Sequence, residues 1–323
     1  MSLTPKHLAP IIALVGLSGL LIACGNDGNS NGSSSSPAVS SSSASSTVIK
    51  VNQSGFLPES KKLAVVPAVA ATSFKLVKAG TATEVLSGAL SVAAVWDASG
   101  ENVKIADFSS IKTPGDYQLR VDGVAGSHVF SIAPDAYSAL NAASIKAFYF
   151  NRSGIELLPE FANKFARPLG HPDTQVLIHS SAASDARPAG TIISSPKGWY
   201  DAGDYNKYIV NSGISTYTLL AAYEHFPEIF NSQNLTIPES GNALPDLLDE
   251  TLWNLEWMLT MQDPNDGGVY HKLTNKSFDG TVMPHQATNE RYVVQKTTAA
   301  ALDFAAVMAV ASRVFANYET QFP

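Results

Sequence analysis

The rhythm of apolar and polar positions changes several times along this chain. Residues 9–23 are mainly apolar, a fifteen-residue run that follows Lys6 and His7. From Gly25 to Thr47 nearly every position is Ser, Asn, Gly or Ala. That composition buries too little apolar surface to offset the entropy of ordering, so a flexible tether is expected over 25–47. Between Val48 and Pro134 come short runs separated by turn signals: 62–66, 74–77, and 116–121 behind Thr113-Pro114-Gly115. In the last of these Tyr117, Leu119 and Val121 alternate with polar residues, the period of a half-buried antiparallel strand. The pattern over 48–134 predicts a small β-sandwich with a spacer role, since no cluster of polar or charged groups marks a site.

Beyond Ile132-Ala133-Pro134 the period becomes helical. Helices are predicted near 137–150, 211–225, 244–261 and 297–315. The third has Leu244, Leu247, Leu248, Thr251, Leu252, Leu255, Met258 and Leu259 at i, i+3, i+4 spacing, and the fourth reads similarly through Leu302, Ala305, Met308, Ala309, Ser312 and Phe315. Long polar loops containing Gly and Pro separate the helices, which places function in the loops and scaffolding in the helices. Four or five helices of this kind read as part of a larger all-helical array.

Composition narrows the partners. The net charge of −7 leaves no basic surface to neutralise phosphates, which excludes nucleic acid and suits a neutral polymer such as a polysaccharide. The single cysteine, Cys24, permits no intramolecular disulfide and no cysteine-rich metal cluster. It closes the apolar run, which has the layout of an export signal and is short for a bilayer span. Leu21-Ile22-Ala23-Cys24 resembles a bacterial lipoprotein box, so residues 1–24 are expected to be a signal peptide cut before Cys24, whose thiol then carries the lipid. Gly25 after the cysteine points to the outer membrane.

The richest chemistry lies in Lys197-Gly198-Trp199-Tyr200-Asp201-Ala202-Gly203-Asp204-Tyr205-Asn206-Lys207-Tyr208, a loop just ahead of a helix. Two carboxylates three residues apart, with Gly203 permitting a tight turn, can converge on one small target such as a water molecule. Alone, Asp201 and Asp204 would read as a solvated turn or a helix cap. Trp199, Tyr200, Tyr205 and Tyr208 change that reading, because flat apolar faces beside acids suit sugar rings in a glycosidase cleft. Asp246, Asp249 and Glu250 begin a helix and read as structural, Glu239 lies in a Pro/Gly loop, and Trp253 and Trp257, four apart on a helix, read as packing residues.

The stretch from Gly198 through Ser215 resembles the signature at the start of a glycoside hydrolase family 9 catalytic domain. Phe148–Gly154, Ile237–Asn242, Asp246–Glu250 and Gln262–Lys272 are similar to neighbouring family segments, and Val51-Asn52-Gln53-Ser54-Gly55-Phe56 to the opening of the immunoglobulin-like domain that precedes many of these enzymes. The resemblance implies a multidomain chain: an immunoglobulin-like β-sandwich over 48–134, then, over 135–323, the N-terminal part of an all-α (α/α)6 barrel. It implies inverting hydrolysis of β-1,4-glucans such as cellulose, with Asp204 as general base and Asp201 helping to hold the attacking water. The family's catalytic acid is a glutamate late in the domain, and Pro323 comes before it, so negligible turnover is expected of this segment. The alternative reading is a non-catalytic glycan-binding surface lipoprotein.

No cofactor is required by this chemistry. Relatives with the immunoglobulin-like domain can hold a structural zinc through two cysteines and two histidines. Here Ser153 and Gly170 stand at the cysteine positions and Tyr200 at one histidine position, leaving His171, so the resemblance implies that this zinc site is lost. Structural calcium, which needs only oxygen ligands, stays compatible with the sequence.

Overall fold

The computed structural model describes residues 48–321; the expected signal segment, Cys24 and the tether over 25–47 lie outside them. The part before the first helix is all strand. Strands β1 (Lys50–Val51), β2 (Leu63–Pro67), β3 (Ser73–Lys78), β4 (Glu84–Ala89), β5 (Ala94–Trp96), β6 (Glu101–Asp107), β7 (Gly115–Arg120) and β8 (Phe130–Ile132) form two four-stranded sheets, ordered β1-β2-β6-β5 and β4-β3-β7-β8. All pairings within them are antiparallel. Tyr117, Leu119 and Val121 point inward as the alternation predicts, and both sheets supply one core with Ala64, Val66, Phe74, Leu76 and Ala106. Phe56, Phe108 and Phe130 meet at its centre with ring centroids 5.3–5.5 Å apart.

The opening motif Val51–Phe56 has a structural explanation. The Asn52 side chain donates to the Gly55 carbonyl at 2.9 Å, and Tyr137, just ahead of the first helix, donates to the same carbonyl at 3.0 Å. Gly55 has φ +92°, and a Cβ there would lie 2.6 Å from the Ser131 carbonyl oxygen. Only glycine fits this seam between strand and helix.

Helices dominate thereafter: α1 (Ser138–Phe150), α2 (Pro159–Ala162), α3 (Ile209–His225), α4 (Pro227–Asn231), α5 (Asp246–Thr260) and α6 (Thr298–Phe315). A small sheet ordered β10-β9-β13-β12-β11 was not foreseen; it comprises β9 (Val176–Ile178), β10 (Ile192–Ile193), β11 (Lys207–Tyr208), β12 (Lys272–Thr274) and β13 (Tyr292–Val293). Strands of two or three residues are too short to show a period. Helix α5 buries the predicted Leu247, Leu248, Leu255 and Met258 but exposes Leu259, and the predicted Leu244 is buried in the loop just ahead of it. In α6 the predicted face is only partly right, since Met308 and Phe315 pack against the core but the rest of it does not. Ala300, Phe304, Val307, Ala311 and Val314 are buried, while Leu302, Ala305, Ala309 and Ser312 are exposed. The helix is apolar around most of its circumference, so periodicity alone does not choose a side.

Helix α3 packs against α5 and α6. At the α6 contact a Cβ on Gly213 would lie 1.6 Å from Asp303 Oδ2, so any larger residue there would have to displace the Asp303 carboxylate. Asp303 Oδ2 is buried without a hydrogen-bond partner among the described residues, and burial raises its pKa. At the start of α5, Asp246 Oδ2 accepts from the Leu235 amide and the Ser240 hydroxyl, both at 2.6 Å, tying down the preceding loop. Asp249 Oδ1 accepts from Asn242 Nδ2 at 2.9 Å, and its Oδ2 has no partner.

Two outcomes follow from these contacts. Gly213→Ala should cost about 1–3 kcal/mol by overpacking, and clearly less when combined with Asp303→Ala; equal losses in urea unfolding in both backgrounds would overturn the contact. Burial, with the nearby charges of Glu239 and Asp246, pushes the Asp249 carboxyl up to about 7. An acid whose folded pKa is raised contributes most at low pH and loses that contribution as pH climbs from its unfolded value to about 7. The fall in thermal stability between pH 4 and pH 8 should therefore be shallower in Asp249→Asn than in the wild type. Identical slopes would exclude Asp249 as a source.

Candidate active site

The loop carrying the two acids is anchored at both ends before it reaches solvent. On entry, Trp199 bridges Arg152, its amide donates to Asn254 Oδ1 at 3.2 Å, and the Tyr200 amide donates to the Asn151 carbonyl at 2.8 Å. On exit, the chain forms β11 and passes directly into α3. The Asp201 amide donates to the Asn206 carbonyl at 3.0 Å, closing the intervening turn on itself. Asp201, Ala202 and Gly203 are exposed, Asp204 is half-buried, and Asn206 is fully buried.

Three donors fix the orientation of Asp204. The Asn206 amide reaches Oδ1 at 3.2 Å; Asn206 Nδ2 reaches Oδ2 at 3.2 Å, and the Tyr208 hydroxyl donates to the same oxygen at 2.9 Å. Burial, the hydrogen bond to Asp204 and the charges of Asp204 and Asp201 push the Tyr208 phenol up to about 12, so it stays a proton donor. Asn206 is itself held, accepting from the Asn275 amide at 3.2 Å. Asp201 Oδ1 accepts from Asn211 Nδ2 at 2.9 Å, one turn into α3. Asp201, Asn211, Trp199 and Tyr200 border a cavity of about 100 Å³, enough for a few water molecules.

The four aromatic candidates divide. Tyr205 and Tyr208 are half-buried beside the acids. Trp199 and Tyr200, expected to offer open faces to sugar, are only 4% and 5% exposed. The Trp199 indole N–H donates to Glu250 Oε1 at 2.7 Å and its ring packs on Phe148 at 4.7 Å; the Tyr200 hydroxyl meets His171 Nδ1 at 2.9 Å. Their faces are spent on the core. Burial and Arg291 pull the His171 imidazole down to about 4, and burial pushes the Tyr200 phenol up to about 12.

Beneath the loop lie two buried charge networks that the sequence reading did not assemble. Asp173 is 5% exposed and fully engaged: Lys207 Nζ lies 2.8 Å from Oδ2, Arg291 Nε 3.1 Å from Oδ1, and Arg291 Nη2 3.3 Å from Oδ2. Burial alone would raise this carboxyl, but Lys207 and Arg291 hold it below the usual range. Lys207 also donates to the carbonyls of Ser195 (3.1 Å) and Lys197 (2.7 Å), and Arg291 Nη1 donates to the Tyr205 carbonyl at 2.7 Å. In the second network Arg152 is fully buried, with Nη1 and Nη2 donating to the two oxygens of Glu239 at 2.9 and 3.1 Å and Nε lying 3.1 Å from Glu250 Oε2. Glu239 and Glu250 are thus structural acids, as expected for Glu250, and the buried Trp257 is a packing residue. His271 bonds to Thr297 at 3.0 Å, and the Lys272 ammonium lies 5.3 Å from the Tyr208 ring centre. Among the described residues no group of three or more His, Cys, Asp or Glu side chains is arranged to hold a metal ion.

Comparison with known proteins meets this geometry from outside. Residues 137–323 match glycosyl hydrolase family 9, and residues 44–125 match the cellulase N-terminal ig-like domain. The chain is 47% identical over 313 residues to a xyloglucan-specific endo-beta-1,4-glucanase of Bacteroides ovatus, covering 97% of this chain and 51% of the relative. It is 34% identical over 282 residues to endoglucanase D of Acetivibrio thermocellus, covering 85% and 43%. A solved Bacteroides ovatus family 9 structure superposes with a TM-score of 0.82 at 49% identity, over 86% of this chain and 50% of that one. The chain thus spans about half the length of the curated relatives it matches. The family match covers more than half of the chain and includes the whole loop that holds Asp201 and Asp204, so this chain belongs to glycoside hydrolase family 9.

Proposed function

We propose that the intact protein hydrolyses β-1,4-glucosidic bonds of a β-glucan by a single inverting displacement. The observation that carries this reading is the tight turn that sets a rigidly oriented Asp204 three residues after an exposed Asp201, which itself borders a water-sized cavity. Asp204 takes the proton from the attacking water, and Asp201 holds that water by a second hydrogen bond. Tyr208 and Asn206 fix the direction of the base, which matters because a general base must meet the proton at hydrogen-bond distance. Inversion also requires a carboxylic acid across the scissile bond, about 6.5–9.5 Å away, to protonate the leaving oxygen. Cellulose and xyloglucan are the substrates to try first, the latter because the Bacteroides ovatus relative is xyloglucan-specific.

The same reading places the enzyme outside the cytoplasm. The apolar run ending at Cys24 and the Ser-rich stretch behind it support a lipid anchor with a flexible tether, which would hold the catalytic body near an insoluble polymer.

In the intact enzyme Asp204→Asn should lower kcat by about 10²–10⁴-fold, the usual worth of a general base, while glucan binding persists. Tyr208→Phe, which removes one donor to the carboxylate, should cost about tenfold. Reducing-end release from β-glucan at the wild-type rate by Asp204→Asn would refute the base assignment. Separately, Cys24→Ala should abolish incorporation of a labelled fatty acid and shift the protein out of the membrane fraction. Labelling undiminished by the substitution would rule out the anchor.

A further inference from the structure

Residues from three separate segments converge beside the Asp201–Asp204 turn: Ser153, the adjacent Gly170 and His171, and Tyr200. Ser153 is fully buried, and its hydroxyl donates to the His171 carbonyl at 3.2 Å. His171 is 8% exposed, and its Nδ1 lies 2.9 Å from the Tyr200 hydroxyl. That hydroxyl donates to the Gly170 carbonyl at 3.2 Å. A phenol has one proton to give. With it directed at Gly170, the contact to His171 requires the imidazole to donate from Nδ1, which selects one tautomer.

These residues do not suit the zinc that the family resemblance suggests for this place. One imidazole, two neutral hydroxyls and a carbonyl are a poor donor set for that ion, and the Ser153 hydroxyl, the Tyr200 hydroxyl and His171 Nδ1 are already engaged within the cluster. Position 170 is closed to a side-chain ligand as well. A Cβ there would lie 2.7 Å from Pro284 Cβ and 2.9 Å from the Pro284 carbonyl carbon.

The cluster is also tied to the acids. Tyr200 immediately precedes Asp201 and Tyr205 immediately follows Asp204, and the two rings meet edge to face at 5.0 Å. His171 packs on both, at 5.4 Å from Tyr200 and 5.6 Å from Tyr205. The Tyr205 hydroxyl donates to the Val282 carbonyl, two residues before the proline that closes over Gly170. Both ends of the catalytic turn are therefore gripped by one set of rings and hydrogen bonds.

We propose that Ser153, His171 and Tyr200 form a metal-free clamp that positions the Asp201–Asp204 turn, replacing a bound ion with a directed chain of hydrogen bonds. They are positioning residues: they act on the reaction through the backbone of the turn. The proposal rests on the catalytic reading given above, so its test separates the two.

The intact enzyme is purified, treated with a strong chelator, and assayed for bound metal and for β-glucan hydrolysis. The clamp predicts much less than one zinc per chain before treatment and an unchanged rate after it. Stoichiometric zinc, lost together with activity on chelation, would overturn it. Tyr200→Phe keeps the ring but removes the hydroxyl. Assayed at a temperature where the variant is fully folded, it should lose kcat by about 5–10-fold, the worth of a lost hydrogen bond, with KM little changed, and amides over 200–206 should exchange faster with solvent. A fully folded Tyr200→Phe with wild-type kcat and wild-type exchange would exclude the clamp. An inactive wild type would refute the hydrolase reading alone, since amide exchange still reports on the clamp.

Discussion

The burial of Asp173 between Lys207 and Arg291 is the constraint on which the geometry of the site depends. Removing one carboxylate and two cations from water costs several kcal/mol per ion, and the attraction between them offsets that only when every donor is satisfied. Here the donors are satisfied. The three Lys207 protons face Asp173, the Ser195 carbonyl and the Lys197 carbonyl, while Arg291 grips both carboxylate oxygens and the Tyr205 carbonyl. Few other arrangements of these segments would leave no charge stranded. That gives the network its power to specify one conformation, because a shifted loop would expose an unpaired buried charge.

The same network explains where the backbone is strained. Among the described residues six other than glycine have positive φ, and four of them, His171, Asp173, Lys197 and Tyr205, lie in or next to this cluster. Left-handed conformations of such residues cost on the order of 1–3 kcal/mol each and persist only where surrounding contacts enforce them. Lys197 and Tyr205 each offer their carbonyl to a buried cation, and Asp173 offers its side chain. Their unusual backbone turns those acceptors inward. The Arg152 pairs with Glu239 and Glu250 play the corresponding part at the other end, where Glu250 also receives the Trp199 indole. One ion network fixes the entry to the catalytic turn and the other fixes its exit.

Much of this architecture was legible in the sequence, and what was not has a common cause. Alternation at Tyr117–Val121 and helical spacing at Leu244–Met258 report a local period that one strand or helix can satisfy alone. The pairing of Asp173 with Arg291 spans 118 residues, Arg152 with Glu250 spans 98, and Asn206 with Asn275 spans 69. No local pattern encodes such partners. Trp199 and Tyr200 mislead for a related reason: an aromatic residue beside an acid fits a sugar platform and a core plug equally well, and only the distant Phe148, Glu250 and His171 decide. In α6 the pattern was too apolar to choose a face.

The proposed division of labour between the two acids rests on their surroundings more than on their spacing. Asp204 is half-buried and receives three hydrogen bonds from a scaffold that is itself fully buried at Asn206, so its position is set by the fold. Asp201 is exposed and receives one, from a side chain on the first turn of α3. A base needs a fixed direction, because proton transfer depends steeply on geometry, and preorganisation removes the cost of finding that direction at the moment of reaction. A group that only holds a mobile water gains from freedom to follow it. Asp204 as base and Asp201 as its helper is therefore the assignment in which each carboxylate has the rigidity its task requires.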